Sequence, residues 1–241
     1  MKKIKDWFDQ HQGRLIIKHS NYLDVYERYL SKFRGKTITV LEIGVCHGGS
    51  LELWRDYFGE SSQIVGIDIN PNCKNAKSEG IKVFIGDQCN ISFLKDVIKK
   101  IGNPDIIIDD GGHKMKEQIN SFHFLYDKLN CGGVYICEDV HTSYIKKNYG
   151  GGYRKSGTFI EYSKSLIDYI HSSYFYNKRI NDSIFSKFIK SIHFYDSIIV
   201  IEKEEYKKPE TLSAGVTKIE ELSKISLFRH PRKWVISKLN R

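Results

Sequence analysis

"TITVLEIGVCHGGSLELWRDYFG", Thr37 to Gly59, joins a branched apolar run to a glycine-rich turn and then to a segment of helical spacing. A short run of Ile, Val and Leu closing on glycine is how a strand buried on both faces of a parallel sheet reads. Ser50–Gly59 follows as a helix, with glycine at its end. The same unit then repeats. "QIVGIDI" (63–69) predicts a strand and "NPNCKNAKSEG" a short capped helix with proline near its start. "IKVFIGD" (81–87) predicts a third strand, "ISFLKDVIKKIG" a helix, "DIIID" (105–109) a fourth strand. "EQINSFHFLYDKL" carries Ile119, Phe122, Leu125 and Leu129 on one helical face, and "GGVYICED" (132–139) predicts a fifth strand. A long helical stretch from about Thr158 to Ile189 breaks near "NKRIND", and "SIHFYDS" with "SIIVIEK" reads as an antiparallel hairpin.

Five β–α repeats and a hairpin imply an α/β, Rossmann-like architecture: a mostly parallel seven-stranded sheet with helices on both faces and a C-terminal antiparallel hairpin. Upstream, Leu15 to Phe33 has apolar residues at Tyr22, Leu23, Tyr26, Tyr29, Leu30 and Phe33, a helical period. The expected division is a helical segment packing on the core (1–35), the sheet domain (36–205) and a basic tail (206–241).

The chain has 241 residues, 40% hydrophobic and 13% aromatic, which excludes a disordered or fibrous protein. No apolar run has the ~18–20 residues needed to cross a bilayer, and the N-terminus reads as no secretory signal. Five cysteines without a CxxC pair predict free thiols in a reducing cytoplasm. The formal charge of +9 gathers in two places. Leu222–Arg241 holds six Lys/Arg and no acid, and Tyr144–Gly157 holds four basic residues and no acid. Such a balance suits nucleic acid, anionic lipid or an anionic substrate, beside the ordinary reading of a solvated surface.

Ligands of doubly wound sheets bind at the carboxyl ends of the strands. Here those ends read "EIGVCHGGS", "DIN", "GDQ", "DDGGH" and "EDVH", each with an acid. Gly44, Gly48 and Gly49 allow a sharp turn and close approach of a ligand, with Ser50 at the helix start. Cys46 stands where the dinucleotide fingerprint would place its second glycine, which argues against NAD. Asp68 lies 24 residues after Gly44, near the ~20-residue offset of a ribose-binding acid. Asp87, with Gln88 beside it, is placed for an adenine amino group. An adenosyl ligand without phosphates fits, and S-adenosylmethionine (SAM) adds a sulfonium suited to a site lined by Glu42, Asp68, Asp87 and Asp109.

At the neighbouring fourth and fifth strand ends, Asp110, Glu138 and Asp139 could converge. Clustered carboxylates need a cation, and an all-oxygen set points to Mg²⁺. His113, presented by a Gly-Gly turn, is the expected general base, with His141 as its rival. A single acidic pair would read as a helix cap or surface, and a lone histidine is more often structural; the convergence favours the site.

"LEIGVCHGGSLELWRDYFG", "IVGIDI", "IGDQ", "IIIDDGGH" and "GGVYICEDVHTSY" resemble the class I SAM-dependent O-methyltransferases that act on sugars, of the macrolide-sugar type and their relatives in polysaccharide loci. The likeness runs from about Lys18 to Ile170. It implies a Rossmann-like sheet, SAM as donor and Mg²⁺ dependence. By the same resemblance the metal ligands would be Asp110, Glu138 and Asp139, the base His113, and the SAM contacts Gly44, Asp68, Asp87 and Gln88. The macrolide enzymes' long N-terminal auxiliary domain has no counterpart in this reading.

The expected acceptor is therefore a sugar-bearing small molecule. The glycine-rich basic lid Tyr144–Gly157 suggests an anionic one, nucleotide-linked or in polysaccharide assembly. A homo-oligomer and a basic tail resting on an anionic inner membrane are further expectations. Competing readings are an NAD-dependent oxidoreductase on the same fold and a nucleic-acid-binding module. Cys46 speaks against the first, and the lack of interleaved basic and aromatic stacking positions speaks against the second.

Overall fold

A computed structural model describes residues 3–216. Seven strands form one sheet: β1 (Thr39–Ile43), β2 (Gln63–Asp68), β3 (Ile81–Ile85), β4 (Ile106–Asp109), β5 (Val134–Cys137), β6 (Ile189–Tyr195) and β7 (Ile198–Lys203). Their order is β3-β2-β1-β4-β5-β7-β6. The five strands from β3 to β5 are parallel, and β7 runs antiparallel to both of its neighbours. The order reverses between β1 and β4, so their carboxyl ends border the crevice where such sheets bind ligands.

Alternation along the central strands explains the two layers. Val40, Ile64, Ile106, Ile108, Val134 and Ile136 face one way and pack with Tyr22, Tyr26, Leu30, Trp54 and Phe58. These come from α2 (Ser20–Leu30) and α3 (Gly49–Phe58), beside which lies α1 (Ile4–Gln10). Leu41, Val65, Ile107, Tyr135 and Ile199 face the other way. They meet α4 (Ile91–Ile101) and α5 (Met115–Lys128) through Leu94, Val97, Phe122, Leu125 and Tyr126. Buried Lys203 donates to the Tyr126 and Asp127 carbonyls near the end of α5, where a cation suits the helix dipole.

Two expectations needed correction. The helical period from Leu15 does not start a helix there: residues 12–19 are an extended strap, and α2 begins at Ser20. The strap is extended because its backbone lies on Gly49, whose added Cβ would stand 2.3 Å from the Arg14 carbonyl oxygen. The stretch from Thr158 is a series of short pieces, α6 (Phe159–Ser165), α7 (Ile167–Ile170), α8 (Lys178–Asn181) and α9 (Ile184–Phe188). The hairpin turns tightly at Asp196–Ser197, with Ser197 in the left-handed region (φ 63°). The described elements end before Lys207; most of the basic tail, including Trp234, lies outside the described residues. Among the described residues, no helix is long and apolar enough to cross a membrane.

Gly44 fixes the meeting of β1 and β4. Its φ is 92°, and an added Cβ would lie 1.9 Å from the Asp110 carbonyl oxygen. Gly35 has a comparable φ of 70° with nothing nearby. Gly35→Ala is expected to cost about 1 kcal/mol for the left-handed backbone alone, and Gly44→Ala about 2–4 kcal/mol or more, from strain plus collision. Urea unfolding of both variants checks this; equal losses would mean that the two strand tips part at no cost.

Candidate active site

A cavity of about 440 Å³ opens at the carboxyl ends of β1, β2, β3 and β4, within the ~300–1,000 Å³ usual for small-molecule sites. One end, where a donor is expected, carries Gly44, Ser50, Asp68, Asp87 and Gln88, and the other end Asp110, His113 and Asp139. Asp68 Oδ2 accepts the N–H groups of Val45 and Cys46 at 2.8 and 3.1 Å, and Oδ1 that of Asn70 at 2.8 Å. One carboxylate thus clamps the β1 turn and retains lone pairs facing the cavity. Gln88 is buried and accepts from Gly112 N–H at 3.0 Å while its amide reaches Asp109, so it pins the turn after β4.

Three residues lining the cavity hold strained conformations. Cys46, His113 and Asp139 are non-glycine residues at φ of 50°, 54° and 52°, and such positions gather at functional sites. His113 Nε2 lies 3.8 Å from Asp110 Oδ1 and 3.6 Å from Asp139 Oδ2. Its Nδ1 is buried without a hydrogen-bond partner. Candidate ligand atoms of Asp110, His113 and Asp139 fall within 4.8 Å of one another. The Thr142 hydroxyl lies 2.9 Å from the His113 carbonyl and 2.8 Å from that of Asp139, and so links the two turns. Tyr22 OH donates to Asp139 Oδ1 at 2.8 Å.

Other expected site residues sit outside the cavity lining. Asp109 is fully buried and turned toward α5, accepting hydrogen bonds from Ser121 and, at 2.8 Å, Tyr135. Burial raises its pKa, and those two hydroxyls offset only part of the rise. Glu42 lies on the opposite face of the sheet, where it accepts from Ser50 Oγ at 2.8 Å. Gly48 turns the chain into α3 against the Arg14 side chain. His141 pairs with the Ser197 hydroxyl, outside the cavity, and joins His19 and Asp139 in a second cluster of nitrogen and oxygen donors. Glu138 points inward: Tyr26 OH donates to Oε1, and Lys18 Nζ donates to Oε2 at 2.8 Å. Burial, then Asp110, raises the Glu138 pKa against the opposing pull of Lys18. In each case the period-2 alternation of a strand, or the turn after it, aims the side chain away from the cavity.

Lys18, Tyr22 and Tyr26 were missed from the sequence. Lys18 Nζ also donates to Asp110 Oδ2 at 2.6 Å and lies 3.7 Å from Glu42 Oε1. Burial opposes its charge, but Glu138, Tyr26, Asp110 and Glu42 together hold it well above the usual lysine range. Its sole sequence signal is a cation at the end of "LII", ahead of a helix.

Glu42 is pushed up to about 7, from an ordinary value of 4.5: burial disfavours its charge, and Lys18 and Ser50 offset only part of this. Because the folded-state value is the higher one, its neutral form stabilises the fold fully below pH 4.5, and this is lost as pH rises through about 7. Glu42→Gln, neutral at every pH, is expected to stabilise the metal-free protein by about 1–3 kcal/mol at pH 8 and to change little at pH 5. Thermal melts at the two pH values check this; equal changes at both would mean that Lys18 compensates Glu42 completely.

No family model matches the chain. It is 30% identical over 190 residues to 8-demethyl-8-alpha-L-rhamnosyl tetracenomycin-C 2'-O-methyltransferase of Streptomyces olivaceus, covering 76% of this chain and 50% of that protein. It is 32% identical over 189 residues to mycinamicin VI 2''-O-methyltransferase of Micromonospora griseorubida, covering 74% of this chain and 47% of that protein. The structure of the MycE methyltransferase in complex with Mg, SAH and mycinamycin VI matches with a TM-score of 0.71 at 30% identity, over 76% of this chain and 49% of that one. The chain thus spans about half the length of the curated relatives it matches. Strand order, site placement and these likenesses agree: the chain belongs to the class I methyltransferases, in the family of the macrolide- and polyketide-sugar O-methyltransferases.

Proposed function

We propose that the protein is a SAM- and Mg²⁺-dependent O-methyltransferase acting on a sugar hydroxyl. The observation that carries this reading is one cavity with Asp68 and Asp87 at one end and Asp110, His113 and Asp139 at the other. The adenosyl group fits the donor end, where Gly44 lines the cavity and Asp68 offers oxygens to ribose hydroxyls. The hard carboxylate oxygens of Asp110 and Asp139, which lie with a His113 ring nitrogen within 4.8 Å of one another, fit a divalent cation. Such an ion, when bound, would lower the pKa of the acceptor hydroxyl.

The chain's own residues do the rest. With the proton of neutral His113 on Nδ1, Nε2 is free to accept the proton of the acceptor hydroxyl. The oxygen attacks the methyl carbon as the carbon–sulfur bond breaks, the electron pair returns to sulfur, and S-adenosylhomocysteine (SAH) leaves. Asp110 and Asp139, within 4 Å of Nε2, stabilise the imidazolium that forms. Holding donor and acceptor in line supplies much of the acceleration.

The basic segment Tyr144–Gly157 supports an anionic acceptor, a nucleotide-linked or phosphorylated sugar. It is largely exposed, with Arg154 over the Tyr153 ring and Lys155 donating to the Gly150 carbonyl. The reading extends to a cytoplasmic enzyme that forms a homo-oligomer. Its basic tail would rest on the anionic inner face of a membrane, a point supported by the charge of residues 222–241.

Calorimetric titration of SAM and SAH, with and without Mg²⁺, tests the donor, and radiolabelled methyl transfer to nucleotide-linked sugars tests the acceptor. Absence of SAM binding overturns the reading. His113→Ala is expected to lower kcat about 10²–10⁴-fold with SAM affinity unchanged; a near-normal kcat removes it as base. Neutralising Arg154 and Lys155 together should raise the acceptor KM several-fold and leave SAM binding alone, whereas an unchanged KM argues for a neutral acceptor.

A further inference from the structure

The strap delivers an ammonium into the acidic end of the site. Lys18 Nζ lies 2.6 Å from Asp110 Oδ2, 2.8 Å from Glu138 Oε2 and 3.7 Å from Glu42 Oε1, and its side chain is 3% exposed. The two shorter distances are those of charge-assisted hydrogen bonds. Nζ therefore stands between inward-facing oxygens of two expected metal ligands. Three acidic side chains surround one ammonium, and Glu42 Oε1 is buried there, 3.7 Å from Nζ, with no donor within hydrogen-bond distance. That unpartnered oxygen, aimed at Nζ, is a second sign that the cluster has room for a ligand beyond Lys18. The neighbouring group of candidate ligands, Asp110, His113 and Asp139, lacks Glu138, whose oxygens are engaged by Lys18 and Tyr26.

Resting on the metal-dependent reading above, we infer that Lys18 is a tethered cation holding the seat of a divalent ion between Asp110 and Glu138, and that the ion gains Glu138 as a ligand only as Lys18 withdraws. An ammonium and a divalent ion that share the same two oxygens would stand a few ångströms apart in a poorly hydrated cluster, where like charges repel strongly. One must leave. The side chain can leave because it sits on an extended strap, outside any helix or strand. Leu15, Ile16 and Lys18 of the strap also line the cofactor cavity, so withdrawal alters the wall that SAM meets. Lys18 is on this account a positioning residue: it prevents metal-free carboxylates from repelling one another and sets the threshold for metal entry.

Mn²⁺ binding, followed by electron paramagnetic resonance with no substrate present, tests this in the full chain. Lys18→Met is expected to bind Mn²⁺ roughly tenfold or more tightly than wild type, because a competing cation is gone. Lys18→Arg keeps the charge and should stay near wild type. Metal-free Lys18→Met should melt lower than wild type and recover more on adding Mg²⁺, a gain that loss of packing alone would not produce. Unchanged or weaker Mn²⁺ binding by Lys18→Met overturns the inference. Should that variant fail to fold, wild type still decides. Acetylation of Lys18, read by mass spectrometry, should rise at saturating Mg²⁺; equal protection with and without metal overturns the inference. Parallel SAM titrations separate the two levels, since intact SAM binding with no Mn²⁺ binding to any variant removes the metal and leaves the methyl donor.

Discussion

Glu42, Asp110 and Glu138 come from or just beyond the ends of adjacent strands, within reach of a single buried ammonium, and the geometry of the whole upper edge of the sheet answers to that crowding. Desolvating even one unpaired carboxylate costs several kcal/mol. The sheet nevertheless brings them together because parallel strands in register deliver their last residues to one line. Ile43 pairs with Asp109 and Asp109 with Cys137, so the acids that follow are neighbours by construction. Lys18, Tyr26 and Ser50 are the groups that make the arrangement tolerable, and two of them lie on the strap and α2. The N-terminal segment is thus part of the site's electrostatics as well as of its core.

Backbone strain at the site has a local source. Cys46, His113 and Asp139 adopt left-handed conformations although none is glycine. Each is held by its surroundings: Cys46 by its N–H on Asp68, His113 by the bond from Thr142 to its carbonyl, Asp139 by Tyr22. The tight crossing of Gly44 over the Asp110 carbonyl locks the same region from beneath. Rigid turns hold the cavity's polar groups where flexible loops would let them spread apart.

The strands were legible because uninterrupted branched runs can hardly be anything else in a chain that alternates them with helical spacing. "TITVLEIG", "QIVGIDI" and "DIIID" lie on β1, β2 and β4, with ends differing by one or two residues. The acids and histidine beyond those runs were legible as a group, since parallel topology sends every strand end to one edge. The direction of each side chain was not. Glu42 and Asp109 share the composition of a ligand-binding tip, yet one faces Ser50 and the other Ser121 and Tyr135. Which way a tip residue points depends on register against a neighbour far along the chain. Lys18 was illegible for the same reason, its partners lying 92 and 120 residues away. The strap misled because Leu15–Ile17 is as compatible with a helix as with an extended segment, and only its seat on Gly49 decides.

Strand β7 enters the sheet between β5 and β6, although it is the last strand made. Until it arrives, β5 presents an open edge, the kind of surface that recruits other chains. The turn that precedes β7 also serves the reacting end, since Ser197 accepts the N–H of Val140 through its carbonyl and pairs with His141 through its hydroxyl. A ribosome releasing this chain therefore emits Asp68, Asp87 and Gln88 long before Ser197 can pin the turn beyond β5. During synthesis the two halves of the cavity mature at different times, and the half that carries His113 and Asp139 is the last to close.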